Sequence, residues 1–199
     1  MALFEPFPNY VWNLSVSIAM ENGGKIGEIV DIIAELKSKA ESGEDAGTAD
    51  FMRAWVAMAD KLVELGEEDL ALGRKFSAGN KFKRSAIYYQ TGERMQAHGS
   101  PGRMETYQKA IGNFLRGMEL TAEPVERIAI PYKGKEITGL FHKAPVAGPA
   151  PCVVYCNGLD SMKEMLWMGG FPTALAKRGI GAGARAVGEA GNFGELDVH

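Results

Sequence analysis

The chain has 199 residues, with 22 Lys and Arg against 25 Asp and Glu and a formal net charge of −3. Hydrophobic residues make up 46% and charged residues 24%, which is globular composition and excludes a disordered acidic or basic tail. Domains run to roughly 100–200 residues, so one large or two small domains are expected, and with no basic block nucleic acid is not the expected partner.

The N-terminus carries Glu5 and Pro6 early and lacks the basic-then-apolar pattern of a signal peptide. No apolar run approaches the roughly 20 residues of a membrane span. Residues 10–120 read as helices. Within 26–39, Ile26, Ile29, Val30, Ile33 and Leu36 fall on one stripe at helical spacing. Residues 49–73 repeat the pattern with Phe51, Trp55, Met58, Leu62, Leu65 and Leu70, after a polar, glycine-bearing linker and with Thr48 or Asp50 as candidate caps. A third helix is expected over 81–97, where Tyr88 and Tyr89 join Trp55 as core candidates. After the break at HGSPGR, started by Ser100 and Pro101, a fourth over 102–119 carries Met104, Tyr107, Ile111, Phe114, Leu115 and Met118. His98, just before that break, is expected to be exposed.

From Glu123 the period shifts toward two. Ile128 and Ile130, a turn around Gly134, then Ile137, Leu140 and Phe141 predict a β-hairpin. PVAGPAP is a loop. PCVVYC is a short apolar run suited to a strand buried on both faces, its Cys152 and Cys156 free, buried thiols. They lie four apart on one face, too far for an easy disulfide, and no Cys/His cluster suggests zinc. Residues 161–180 read as one helix or two helical pieces. Hairpin, loop, buried strand and helix open an α/β domain. The expected division is a helical region over 1–120 and the start of an α/β domain over 121–199.

The chemistry-bearing stretch is CNGLDSMKE, residues 156–164. It leaves a strand, turns at Gly158 and carries Leu159, Asp160 and Ser161. Ligand chemistry in open α/β sheets lies beyond the carboxyl ends of strands, and backbone N–H groups after such a glycine face a ligand oxygen. Lys163 and Glu164 read as a solvated first helical turn, or as groups that orient the loop. Ser161 reads as a helix cap; no base is placed for it, since His142 lies in the hairpin and His199 ends the chain.

PCVVYCNGLDSMKEM…LAKRGI, following VERIAIPYKGKEITGLFHKA and a helical region with YYQTGERM, resembles a branch of the α/β-hydrolase superfamily. Its members look like 2,6-dihydroxypseudooxynicotine hydrolase and fungal polyketide-shortening hydrolases, and the likeness covers roughly residues 50–180. It implies a helical, cap-like N-terminal region followed by the start of the hydrolase sheet. It also implies a serine hydrolase acting on a C–C bond beside a ketone, an ester or an amide of a small organic substrate. No cofactor or metal is implied, and the setting is cytoplasmic with no membrane partner; a homodimer is allowed. The resemblance assigns oxyanion binding to the backbone near Gly158 and Leu159, and substrate holding to Asp160.

The family's G-x-S-x-G elbow has no counterpart in the 199 residues, so no catalytic residue of the triad is expected in this chain. Where the family continues with an apolar strand, GAGARAVGEAGNFGELDVH is glycine-rich and predicts a poor central strand. The expectation is a truncated or frame-shifted member, inactive by itself. A chain ending there is expected to leave bare the edge of PCVVYC and the apolar face of 165–176, and to self-associate. The alternative is a non-catalytic helical binding module.

Overall fold

In the computed structural model, residues 5–41, 48–158 and 161–185 are described. The chain divides into two compact units, Met1–Thr121 and Ala122–His199.

The first unit is helical: α1 (Tyr10–Glu21), α2 (Ile26–Glu41), α3 (Thr48–Ala71), α4 (Lys75–Glu93) and α5 (Arg103–Leu120). Asn9 caps α1, its side-chain oxygen accepting from the N–H groups of Val11 and Trp12 at 2.8 and 3.3 Å. A ladder of rings then binds three helices. Phe7 meets Trp12 edge-on at 5.2 Å, Trp12 meets Phe51 at 4.9 Å, Phe51 meets Trp55 at 5.8 Å and Trp55 meets Tyr88 at 5.6 Å. The Tyr88 hydroxyl donates to Glu28 at 2.6 Å and accepts the Lys25 N–H at 2.9 Å, which ties α2 to the same core. Burial and the bond to Glu28 push the Tyr88 hydroxyl well above its ordinary pKa. Helices α4 and α5 meet at Gly79 and Gly117. A Cβ on Gly117 would stand 2.9 Å from the Gly79 carbonyl oxygen, so only glycine permits this approach.

The expected apolar stripes are partly rotated. In α2 the buried residues are Ile29, Ile32 and Leu36, while Ile26 and Val30 face solvent. In α3 Phe51, Trp55 and Leu62 are buried and Leu65 is exposed; Met104 of α5 is exposed as well. Helix α4 begins six residues before the expected start at 81, because Phe82 and Ala78 already face the core in its first turns. The helix expected over 102–119 is α5, and it starts from Gly102 at φ 76°, with no side-chain cap, rather than from Ser100 and Pro101. His98 is exposed, as expected. Residues 42–47 of the first linker lie outside the described residues.

The second unit holds β1 (Glu126–Tyr132), β2 (Lys135–His142), β3 (Cys152–Cys156), α6 (Lys163–Met168), α7 (Phe171–Ala176) and β4 (Gly181–Arg185), with sheet order β1-β2-β4-β3. The hairpin turns through Lys133 and Gly134, both at positive φ (48° and 76°), the primed geometry that matches strand twist. β2 pairs antiparallel with β4, and β3 pairs parallel with β4.

Two expectations are overturned here. GAGAR is an inner strand. Its small side chains are the reason: Ala182 and Ala184 are fully buried, and helices α6 and α7 pack against this strand. PCVVYC, in turn, is not buried on both faces. It forms the sheet edge, Val154 is 75% exposed, and both cysteines are exposed free thiols. Register explains the asymmetry. Val153 and Tyr155 pair with Ala182 and Ala184 and share the face carrying α6 and α7, whereas Cys152, Val154 and Cys156 point the other way. Among the described residues β3 has no second strand partner, and the face of 165–176, expected to be bare, is mostly packed: Met165, Trp167, Pro172 and Ala176 are buried and Phe171 is exposed.

Candidate oxyanion turn

β3 delivers the chain to Asn157 and Gly158 at its carboxyl end. Asn157 is buried, and its amide nitrogen donates to the Gly158 carbonyl at 3.0 Å and the Ser161 carbonyl at 2.6 Å. One side chain thus closes the loop from both ends. The Ser161 N–H also reaches back to the Gly158 oxygen at 3.4 Å. Asparagine before glycine at a strand end is a turn signal, and this residue was the one missed in reading CNGLDSMKE. Gly158 is exposed, and a Cβ there would meet nothing within 4 Å. The protein's own packing therefore does not demand a glycine at this place. Leu159 and Asp160 lie outside the described residues.

Ser161 does not cap the following helix. The N-cap is Met162 with no side-chain bond, and the Ser161 hydroxyl reaches back to the Gly158 carbonyl at 3.5 Å. Lys163 and Glu164 are not solvated either. They are 3% and 2% exposed, with Lys163 Nζ 3.0 Å from Glu164 Oε1. Glu164 Oε2 is buried without a partner among the described residues. A buried pair of this kind costs heavily if one member is removed, since the other charge is left uncompensated. It thereby fixes the first turn of α6 immediately behind the loop.

His142 is remote from the turn along the sheet. It pairs with Ala182, whereas Cys156, just before the turn, pairs with Arg185. Three residues of strand separate the two levels, about 10 Å. His142 stacks on Trp167 at 5.6 Å and its Nδ1 lies 3.0 Å from the Lys143 carbonyl. It offers no base to Ser161. Tyr155 presents its ring edge to Phe171 at 5.1 Å, and burial pushes its hydroxyl up to about 12. Among the described residues no group of three or more His, Cys, Asp or Glu could hold a metal ion. Tyr88, Tyr89 and Trp55 are fully buried core residues of the helical unit.

A strand, a tight turn at its carboxyl end, a helix and a parallel return strand preceded by a hairpin is the arrangement to compare with known proteins. No family model matches the chain. The α/β-hydrolase gkaG of Penicillium citrinum is 25% identical over 177 residues, covering 84% of this chain and 40% of that protein. The 20-hydroxy-prefusarin hydrolase FUS2 of Gibberella moniliformis is 30% identical over 163 residues, covering 78% of this chain and 37% of that protein. The solved 2,6-dihydroxy-pseudo-oxynicotine hydrolase superposes with a TM-score of 0.62 at 19% identity, over 84% of this chain and 44% of its own. Over the matched part the chain is similar to these α/β-hydrolases. Its mixed sheet and helical region share the fold of these hydrolases over the matched part, and it spans about two fifths of the length of the curated relatives. Among the described residues, no helix is long and apolar enough to cross a membrane.

Proposed function

We propose that this chain carries the oxyanion-stabilising turn of a serine-type hydrolase, acting on a C–C bond beside a ketone, an ester or an amide of a small organic substrate. The observation that carries the reading is the Asn157 amide bonded to both the Gly158 and Ser161 carbonyls at the end of a parallel strand. Attack on a carbonyl carbon moves an electron pair onto its oxygen, and donors fixed beforehand stabilise that charge without reorganising. In this reading Gly158 and Leu159 provide the donors, Asp160 holds the substrate and Ser161 belongs to the loop's frame. The nucleophile, acid and histidine of the triad are not among these residues, and the 199-residue chain by itself is inactive.

The test has two steps. The 199-residue chain should take no label from a fluorophosphonate probe and turn over no p-nitrophenyl ester. The encoding locus should continue in frame to a G-x-S-x-G elbow, and that longer protein should give both signals. There, Asn157→Ala should lower kcat about 100-fold, the scale of one lost oxyanion donor, with KM little changed. A longer protein inert in both assays sinks the reading.

A second reading, a non-catalytic helical binding module, has one observation in its favour. Gln90 is 1% exposed and neither of its amide atoms has a partner among the described residues. Buried amides without partners are costly, and a ligand would satisfy them. Saturable binding of a small polar molecule, lost in Gln90→Leu and independent of Asn157→Ala, would favour it.

A further inference from the structure

Several buried polar side chains of the helical unit are paired within it. Ser85 donates to the Phe82 carbonyl at 2.8 Å, Thr91 to the Ile87 carbonyl at 2.8 Å and Thr106 to the Gly102 carbonyl at 2.9 Å. The Tyr88 hydroxyl has both Glu28 and the Lys25 N–H. Helix α4 departs from this pattern near its end. Gln90 and Glu93 stand three residues apart and are therefore neighbours on the helix surface; they are 1% and 0% exposed. Gln90 Nε2, Gln90 Oε1 and Glu93 Oε1 are closed to solvent and have no partner among the described residues. Trp55 Nε1, on α3, is another such atom.

Glu93 is held in place all the same. Its Oε2 accepts from Arg103 Nε at 3.0 Å, so the charge is balanced from α5 and Oε1 is left as the open acceptor. Unmade bonds on buried polar atoms are costly, and a group that binds there removes the cost.

The three open atoms of Gln90 and Glu93 ask for a specific complement. Gln90 Nε2 needs an acceptor, while Gln90 Oε1 and Glu93 Oε1 each need a donor. A primary carboxamide carries that set on one planar group. Its C=O accepts from Gln90 Nε2, one of its N–H groups donates to Gln90 Oε1, and the other donates to Glu93 Oε1. A carboxylate has no donor and would set a second negative charge beside Glu93. An ammonium has no acceptor, and Arg103 already balances Glu93. A ketone serves Gln90 Nε2 and leaves the other two atoms unpaired.

We propose that Gln90 and Glu93 form a binding subsite for the primary carboxamide group of a small molecule. The assignment rests on the binding reading of the helical unit given above and names its ligand class.

The experiment titrates the full 199-residue chain with acetamide, acetate and acetone, which have the same shape and differ in one group. Backbone amide shifts read the binding. Acetamide should give saturable shifts centred on residues 90–93, and acetate and acetone should bind about 10-fold more weakly or worse. Gln90→Leu should lose the acetamide response while its melt stays level or rises, because it removes two unmade bonds, so the loss is not unfolding. Glu93→Gln should weaken acetamide binding while leaving the response at Gln90. Equal binding of all three probes that still depends on Gln90 overturns the carboxamide assignment and leaves the binding reading standing. No saturable response, a response that survives Gln90→Leu, or a crystal grown with acetamide that holds only an ordered water on these atoms overturns both.

Discussion

The two units hide apolar surface to very different degrees. In the helical unit Trp55, Tyr88, Tyr89, Phe51, Phe82 and Phe114 are all fully buried, although Tyr10 and Phe76 are exposed. In the sheet unit Leu140, Ala182 and Ala184 are buried on one face, while Val153 and Val154 on the edge strand are exposed. The difference teaches that helices joined by short turns complete their core from near neighbours, whereas a sheet needs a cover on each face and a partner on each edge. The helical unit should therefore dominate the stability of the chain, and substitutions in the two units should separate by size.

The largest effect is expected at Trp55, the junction of the aromatic ladder. Trp55→Ala removes a fully buried ring and should cost about 3–5 kcal/mol in denaturant unfolding followed by helical circular dichroism. A loss below about 1 kcal/mol would mean that the ladder is not the core.

Next comes the close crossing of α4 and α5. In Gly117→Ala the new Cβ would lie 2.9 Å from both the Gly79 carbonyl oxygen and the Lys83 amide nitrogen. Backbone cannot yield as a side-chain tip does, so the helices must part, at about 1–3 kcal/mol. Gly112→Ala, where nothing lies within 4 Å, is the control in the same helix and should be neutral or slightly stabilising.

A smaller effect appears only as a function of pH. Glu93 is fully buried; burial raises its pKa above 4.5, opposed by the bond from Arg103 Nε at 3.0 Å and by the charge of Arg94. The native state therefore holds this proton more tightly than the unfolded chain. The contribution is present at and below pH 4.5 and is lost as pH rises through the folded value. Glu67 and Asp69 run the opposite way. Arg116 holds Glu67 low, and Lys81 holds Asp69 low, so their contributions are lost in acid. The difference between wild type and Glu93→Gln isolates the first group: the variant should gain relative stability as pH rises above 4.5. No change in that difference across the range would show that Arg103 fully compensates the burial.

How much of this was legible depended on whether a signal was local. The hairpin was, because Lys-Gly fits a turn needing positive φ at both positions. The helices were legible as elements, but the face each buries was not. Periodicity leaves Val30 and Ile32 as rival choices, and only packing against α3 selects Ile32. β4 was misjudged because strand propensity favours bulky side chains, whereas a strand packed under helices can use alanine. The burial of Lys163 and Glu164 was hidden for a similar reason: charge suggests solvent until a partner and a cover are known. At the candidate turn, CNGLDSMKE marked the place, and Asn157 as its clasp emerged only from the two hydrogen bonds.

The smallest expected effect tests the sheet side of the comparison. Val154→Thr exchanges a methyl for a hydroxyl on a side chain that is 75% exposed, so measured at dilution it should shift stability by no more than about 0.5 kcal/mol. Val16→Thr makes the same exchange at a position 2% exposed in α1 and should cost about 1–3 kcal/mol, the scale for burying a hydroxyl without a designed partner. The chemistry is identical, so the gap between the two measures cover alone. If Val154→Thr cost as much as Val16→Thr in the dilute monomer, something would already cover the edge of β3. The contrast between a self-contained helical core and a half-covered sheet would then fail at the residue where it is sharpest.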